Sequence, residues 1–252
     1  MPRFHFNPQE VLDGVVSLSE KESRHAVSVL RLGAGDVVEL LDGAGNSFRG
    51  VVTGVKDKRL SVSLDRSPQK EIPSSVSISL APCVIKPDPM ELLIQKVCEL
   101  GVDAIHPIIS ERTVVRVSSE RWESKTARWN KIAVESCKQC GRKMFPSVEP
   151  PTRFSEALKI FKNYDRVLIP TLAIPGASIS DSVNEVSRGK ILILIGPEGD
   201  FSEKEVKMAI AGGAKPVTLG ALIMRSETAA IYVLACLNFF YREIARSNPT
   251  RT

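Results

Sequence analysis

The chain has 252 residues, 43% of them hydrophobic and 25% charged, and carries a formal net charge of +5. That balance suits a globular protein of one or two domains and excludes a disordered or low-complexity chain. The longest apolar stretch, Ala229 to Tyr241, is too short for the ~20 residues that cross a bilayer and contains Asn238. No export signal is visible at Met1-Pro-Arg-Phe-His, and the five cysteines are an odd number, so a cytoplasmic protein without structural disulfides is expected.

Residues 1–72 read as short strands around one helix. Ser19 and Glu22 have capping-box spacing, and His25, Val29 and Leu30 continue a helix to about Leu32. Val37–Leu41, the turn at Asp42-Gly43-Ala44-Gly45, Phe48–Val55 and Leu60–Leu64 then alternate apolar and polar residues, as half-buried strands do. Ser67 to Ser75 holds two prolines and three serines and reads as a linker. The expected domains are therefore 1–72, a small β module, and 73–252.

From Val76 the pattern alternates between strand and helix. Val76–Val84 is a strand, Met90–Leu100 a helix closed by Gly101, and Ala104–Ile109 a strand. A long helix runs from about Ser119 to Cys140, followed by a helix near Ser155–Phe161 and a strand at Arg166–Pro170. Lys190–Ile195 is a continuous apolar run, the mark of a strand buried on both faces of a parallel sheet. Ser202 and Glu205 cap a further helix, Val217–Leu219 is the last strand, and Glu227–Ala245 the last helix. The class is α/β with a mainly parallel sheet, in which ligands bind at the carboxyl ends of strands.

Two loops leave those ends. Gly196-Pro197-Glu198-Gly199-Asp200 reads either as a ligand-binding loop or as an ordinary strand-to-helix turn. Pro197 removes an amide that a phosphate cradle would use, and neither dinucleotide-binding nor P-loop spacing is present, so a phosphate-bearing cofactor is disfavoured. In Leu219 to Ala229, Arg225 is either a buried ion-pair partner of Glu227 or a substrate-facing cation.

The combination Gly196-Pro197-Glu198-Gly199 with Leu219-Gly220-x-x-Ile223-x-Arg225-x-Glu227-Thr228-Ala229 closely resembles the paired motifs of the 16S ribosomal RNA uracil-N3 methyltransferases of the SPOUT superfamily. Met90 to Val102 resembles that family's first helix, Glu135-Ser136-x-x-Gln139-x-x-Arg142 its basic helix end, and His25 to Asp36 its PUA-like module. The likeness covers nearly the whole chain. It implies a trefoil-knotted C-terminal domain at 73–252, a PUA-like barrel at 1–72, a homodimer, S-adenosylmethionine as cofactor, and 16S rRNA within the small ribosomal subunit as substrate. Thr171, Leu172, Gly196, Pro197, Glu198, Gly199, Leu219, Gly220, Ile223 and Arg225 are then expected to bind the cofactor. Arg225, Glu198 and Glu227 are the candidates for catalysis, with the general base open between the two carboxylates. The family usually continues Gly-Pro-Glu-Gly with Gly, where this chain has Asp200; Asp tolerates positive φ if the loop demands it.

Met1 to Ile72 carries ten basic and ten acidic residues, so the positive excess lies downstream. From Arg112 to Lys143 nine basic residues face three acidic ones, which is either a solvated helix face or a phosphate-contacting surface. The expected RNA contacts are Arg3, Arg24, His25 and Arg31 in the first module, and Lys86, Arg112, Arg142 and Lys143 beyond it. Cys137-x-x-Cys140 lacks a second pair, and His5, His25 and His106 are scattered, so no metal site is expected. Trp122 and Trp129 read as core anchors. A non-enzymatic RNA-binding ribosome-assembly factor is the alternative function.

Overall fold

The computed structural model describes residues 1–65, 67–115, 119–183 and 188–244. The chain divides into two compact units, one of Met1–Ile72 with Val134–Phe145 and the other of Pro73–Ala133 with Pro146–Thr252.

The first unit is a mostly antiparallel sheet. Its strands are β1 (Arg3–His5), β2 (Val11–Leu12), β3 (Val15–Ser17), β4 (Val37–Leu41), β5 (Asn46–Lys56), β6 (Arg59–Leu64) and β7 (Gln69–Lys70), in the order β1-β4-β5-β6-β3-β2 with β7 on β5. The period-2 pattern sends Val38 and Leu40 from β4 and Leu60 and Val62 from β6 into one core with Phe4, Phe6, Val16 and Leu18. The β4–β5 turn is held by Asp42, whose carboxylate accepts the N–H groups of Ala44 (2.8 Å) and Asn46 (2.9 Å). The segment expected to be a linker is partly structured: Gln69 and Lys70 pair with Ser47 and Asn46.

Helix α1 (Glu20–Arg24) opens as expected, with the Ser19 hydroxyl accepting the Glu22 N–H, and continues as a wider π-helical turn over His25–Val29. The capping box is only half used. The Glu22 carboxylate takes the Lys138 ammonium at 2.7 and 3.0 Å, with both side chains almost fully buried. Lys138 also meets Glu135 at 2.8 Å, and Lys21 pairs with Glu135. Burial alone would raise the Glu135 carboxyl, but the hydrogen bonds from Lys138 and Lys21 hold it below its ordinary value. Removing one partner of a buried pair strands the other charge, at a cost of about 3–5 kcal/mol. Lys138→Met should therefore lower the unfolding free energy by that amount, read as a lower urea midpoint at unchanged slope, and adding Glu22→Gln should recover much of the loss. An unchanged midpoint in Lys138→Met would contradict this reading.

In the second unit the strands are β8 (Val76–Pro82), β9 (Ala104–Ile105), β10 (Ile108–Ile109), β11 (Ser147–Val148), β12 (Thr152–Arg153), β13 (Arg166–Pro170), β14 (Ala177–Ser178), β15 (Gly189–Ile195) and β16 (Lys215–Thr218). The helices are α2 (Pro87–Glu99), α3 (Ser119–Cys140), α4 (Phe154–Ala157), α5 (Ile179–Val183), α6 (Glu203–Ala211) and α7 (Ser226–Asn238), of which α3 enters the first unit at Val134. The main sheet is parallel, in the order β11-β9-β8-β15-β13-β16-β14. Ile191 to Ile195 are all buried, as the apolar run required. Leu192 and Leu194 pack with Phe154, Phe161, Phe201 and Val206 on one side, and α7 lies against β8, β15 and α2.

The expected strand Ala104–Ile109 is split, because Pro107 offers no N–H and restricts His106: β9 pairs with β8 and β11, β10 with β12. The last helix ends at Asn238 and gives way to a π-helical stretch, Phe239–Ile244. The strand order also shows how the chain is threaded. Residues 171–176 connect β13 directly to β14, yet β16, which comes later, lies between them. Gly176 permits the passage, since a Cβ there would stand 2.7 Å from the Val217 backbone.

Candidate functional site

Three loops at the carboxyl ends of β13, β15 and β16 enclose a cavity of about 520 Å³, bounded by residues 170–173, 195–201, 218–220 and 222–224 with Arg112, Glu203, Ser226 and Ala229. The volume suits a small organic cofactor, and apolar groups with backbone dominate the walls.

Each wall is fixed by hydrogen bonds. Ser226, the first residue of α7, donates its hydroxyl to the Gly196 carbonyl at 2.6 Å. Asp200 closes a turn by donating its N–H to the Pro197 carbonyl (2.9 Å) and sits at φ 59°, a left-handed conformation that Asp tolerates better than most side chains. Arg112 donates to the Gly199 carbonyl at 2.6 Å. Capping-box residue Glu205, buried, accepts the Ser202 N–H at 3.0 Å with one oxygen and the Glu111 N–H at 2.9 Å with the other, and so ties the loop carrying Arg112 to the start of α6. Gly220 has φ 107°, and its N–H reaches the Thr218 hydroxyl at 3.2 Å. Below the loops, burial pushes the Cys83 thiol far up, which keeps it neutral.

Thr171, Leu172, Gly196, Pro197, Glu198, Gly199, Leu219, Gly220 and Ile223 all line this cavity. Arg225 and Glu227 stand beside it, each next to the lining residue Ser226. Arg225 is exposed and makes no ion pair with Glu227 among the described residues, so the buried ion pair, one of the two sequence readings, is not what the structure holds. Glu198, Asp200 and Glu203 give the walls a negative excess over Arg112.

The expected RNA contacts are dispersed. Arg24, His25 and Arg31 are exposed along and just beyond the π-helical turn, interleaved with exposed Val27, Val29 and Leu30, and Lys86 is exposed before α2. Arg3 is committed elsewhere: it pairs with Glu39 at 2.8 Å and donates to the Lys138 and Gln139 carbonyls at the end of α3, where a cation meets the negative end of the helix. Much of the basic run is structural as well. Arg112 holds the Gly199 loop, Arg128 pairs with Glu91, Lys138 is buried, and Lys143 donates its ammonium to the Gln69 carbonyl. Arg142 is half-buried and also engaged, and Arg116 lies outside the described residues. Trp129 is buried, with Trp122 beside it at a ring separation of 6.2 Å. Cys137 and Cys140 are not bonded to each other, and among the described residues no His/Cys/Asp/Glu group has metal-holding geometry. No helix among the described residues is long and apolar enough to cross a membrane.

A family model described as an RNA methyltransferase domain matches residues 72–238, about two thirds of the chain, and one described as an RNA methyltransferase PUA domain matches residues 18–65. The chain belongs to this RNA methyltransferase family. Its α/β unit is the trefoil-knotted SPOUT fold, and its first unit is PUA-like. Ribosomal RNA small subunit methyltransferase E of Neisseria gonorrhoeae, solved with S-adenosyl methionine, is 31% identical with a TM-score of 0.82, covering 96% of this chain and 98% of its own. A Legionella pneumophila protein solved with the bound cofactor SAM is also 31% identical, with a TM-score of 0.85, covering 94% of this chain and 96% of its own. The Synechocystis protein named Ribosomal RNA small subunit methyltransferase E is 28% identical over 233 residues, 92% of this chain and 75% of that one.

Sequence reasoning missed what holds the family's loops in place here, notably Arg112 on Gly199 and Ser226 on Gly196. The only signals were an Arg at the start of a basic run and a Ser near the second glycine loop, and neither has a spacing that declares its partner.

Proposed function

We propose that this chain transfers a methyl group from S-adenosylmethionine to N3 of a uridine in 16S rRNA of the small ribosomal subunit. The observation that carries the reading is the cavity built from three strand-end loops, two of them glycine-bearing, with Arg225 exposed beside it. The cofactor fits these walls: Leu172, Ile195, Leu219 and Ile223 suit its apolar surface, backbone groups of residues 171–172, 196–199 and 219–223 suit its polar edges, and Glu198 and Glu203 suit its positive charge.

When bound, the cofactor supplies a sulfonium methyl whose carbon–sulfur bond breaks as a new carbon–nitrogen bond forms. Uridine N3 must first lose its proton, and the resulting negative charge spreads over O2 and O4. Arg225 remains protonated and is assigned to stabilise that charge as it develops. Glu198, exposed on the cavity wall, and Glu227, half-buried beside Arg225, are the carboxylates available to receive the proton or to orient the guanidinium. The exposed Arg24, His25, Arg31 and Lys86 are assigned to RNA phosphates. Arg3 has its Nε and Nη1 groups committed within the protein.

A homodimer is part of the proposal. Leu172, Leu222 and Ile223 at the cavity, Tyr232 on α7 and Phe239 just after it are large apolar or aromatic groups left exposed, a surface that a second copy would cover. Light scattering should give about twice 27.6 kDa, whereas an active monomer would remove this part. The proposed location is the cytoplasm, where ribosomal subunits are found.

The test is incubation of small subunits lacking the modification with enzyme and methyl-labelled cofactor, followed by nucleoside mass spectrometry. 3-Methyluridine is the expected product. Label on a ribose hydroxyl or on carbon 5 would overturn the position, and no transfer would favour an RNA-binding assembly factor.

A further inference from the structure

One side chain joins two of the three loops. The Asp200 carboxylate, at the end of the Gly196–Gly199 loop, accepts the Thr171 hydroxyl at 2.9 Å and the Leu172 N–H at 2.8 Å with one oxygen. Its other oxygen accepts the Phe201 N–H at 2.7 Å. Thr171 in turn accepts the Ala173 N–H at 3.1 Å through the same hydroxyl oxygen that donates to Asp200. A single carboxylate thus orders residues 171–173 after β13 against residues 197–201 after β15. Without it, the N–H of Leu172 would have no partner among the described residues, and Leu172 itself is largely exposed. A left-handed backbone is uncommon for a residue with a side chain, and here the side chain it carries makes contacts that glycine could not.

We propose that Asp200 is a positioning residue that latches the 171–173 loop to the 197–201 loop and so preforms the cofactor cavity before the cofactor arrives. The proposal rests on the assignment of that cavity to S-adenosylmethionine, and it adds a residue to which no role in binding has been given. The physical basis is a population effect: a loop held in its binding conformation binds with its intrinsic affinity, and one that holds it a tenth of the time binds about tenfold more weakly. Carboxylate-accepted hydrogen bonds are stronger than neutral ones, so the two that reach across from this group suffice to hold a short exposed loop.

The experiment compares wild type with Asp200→Gly, Asp200→Asn and Thr171→Val. Glycine suits φ 59° better than any other residue, so Asp200→Gly removes the latch without straining the turn. In calorimetric titration with S-adenosylhomocysteine, Asp200→Gly should bind on the order of tenfold more weakly. Asp200→Asn, which keeps one acceptor oxygen and tolerates the same φ, should lie in between. Thr171→Val combined with Asp200→Gly should cost less than the product of the two single effects, since both cut the same contact. RNA affinity and melting temperature should not move, which a merely structural role would not predict.

A second measurement does not need the cofactor. In the free protein, hydrogen exchange at the Leu172 amide should be slow in wild type and at least about tenfold faster in Asp200→Gly, with the Ile193 amide in the central strand unchanged. Wild-type affinity together with wild-type Leu172 protection in Asp200→Gly would overturn the latch. If wild type itself fails to bind S-adenosylhomocysteine, the cofactor assignment falls, and the Leu172 exchange rate still decides whether the latch exists.

Discussion

Arg225→Ala should slow methyl transfer by roughly 10²–10³-fold, the usual effect of removing one donor aimed at developing negative charge. Arg225 is exposed, begins α7 through its backbone, and has no ion pair among the described residues. Its side chain therefore contributes little to the fold, and truncating it should leave the melting temperature and cofactor affinity close to wild type. The loss should appear in the rate of the chemical step, measured as single-turnover methylation of small subunits at saturating enzyme. Arg225→Lys should recover only part of it, because an ammonium lacks the planar fork of donors that can face O2 or O4. A full single-turnover rate in Arg225→Ala would show that the guanidinium takes no part in the reaction.

The second large effect is expected at Gly220. Its φ of 107° is inaccessible to a β-branched residue without strain, although a Cβ there would meet nothing within 4 Å. The cost of Gly220→Val therefore falls on the backbone path of the 219–223 loop and not on packing. The loop should move, and cofactor binding should fall below detection while far-UV circular dichroism stays native. Gly196 acts for a different reason. Its φ is ordinary, but a Cβ would stand 3.1 Å from an Asp200 carboxylate oxygen and 3.4 Å from the Phe201 ring, so Gly196→Val should damage the neighbouring loop by contact. Undiminished affinity in Gly220→Val, read by titration with S-adenosylhomocysteine, would remove the third loop from the site.

How far these residues could be read from the sequence depends on the range of the forces involved. The capped helix α6, the buried strand β15 and the full span of α3 follow local rules of capping and periodicity, and they lie where those rules put them. The short strands β11, β12 and β14 do not, because two residues carry no period and exist only through their partners. Glycines at strand ends marked two walls of the cavity, whereas the wall at residues 170–173 contains none. The threading of β16 between β13 and β14 could be inferred only from family resemblance, since it depends on the order in which distant segments pair. Charge was the least reliable guide. Arg112 to Lys143 has the composition of a phosphate-binding surface, yet Arg112, Arg128, Lys138 and Lys143 all have partners within the protein. Counting signs along a helix does not reveal that Glu22, 116 positions away, is the group that Lys138 meets. Asp200 shows the same limit: its tolerance of positive φ was foreseeable, whereas its bonds to Thr171 and Leu172 arise from folding.

Calorimetric titration of the purified wild-type protein with S-adenosylhomocysteine tests the central claim most directly, since every functional assignment depends on a cofactor held by residues 171–172, 196–199 and 219–223. The account predicts saturable binding with one equivalent per chain, abolished in Gly220→Val and retained in Arg225→Ala. Absence of binding by the folded wild-type protein, or binding that survives Gly220→Val unchanged, would contradict it.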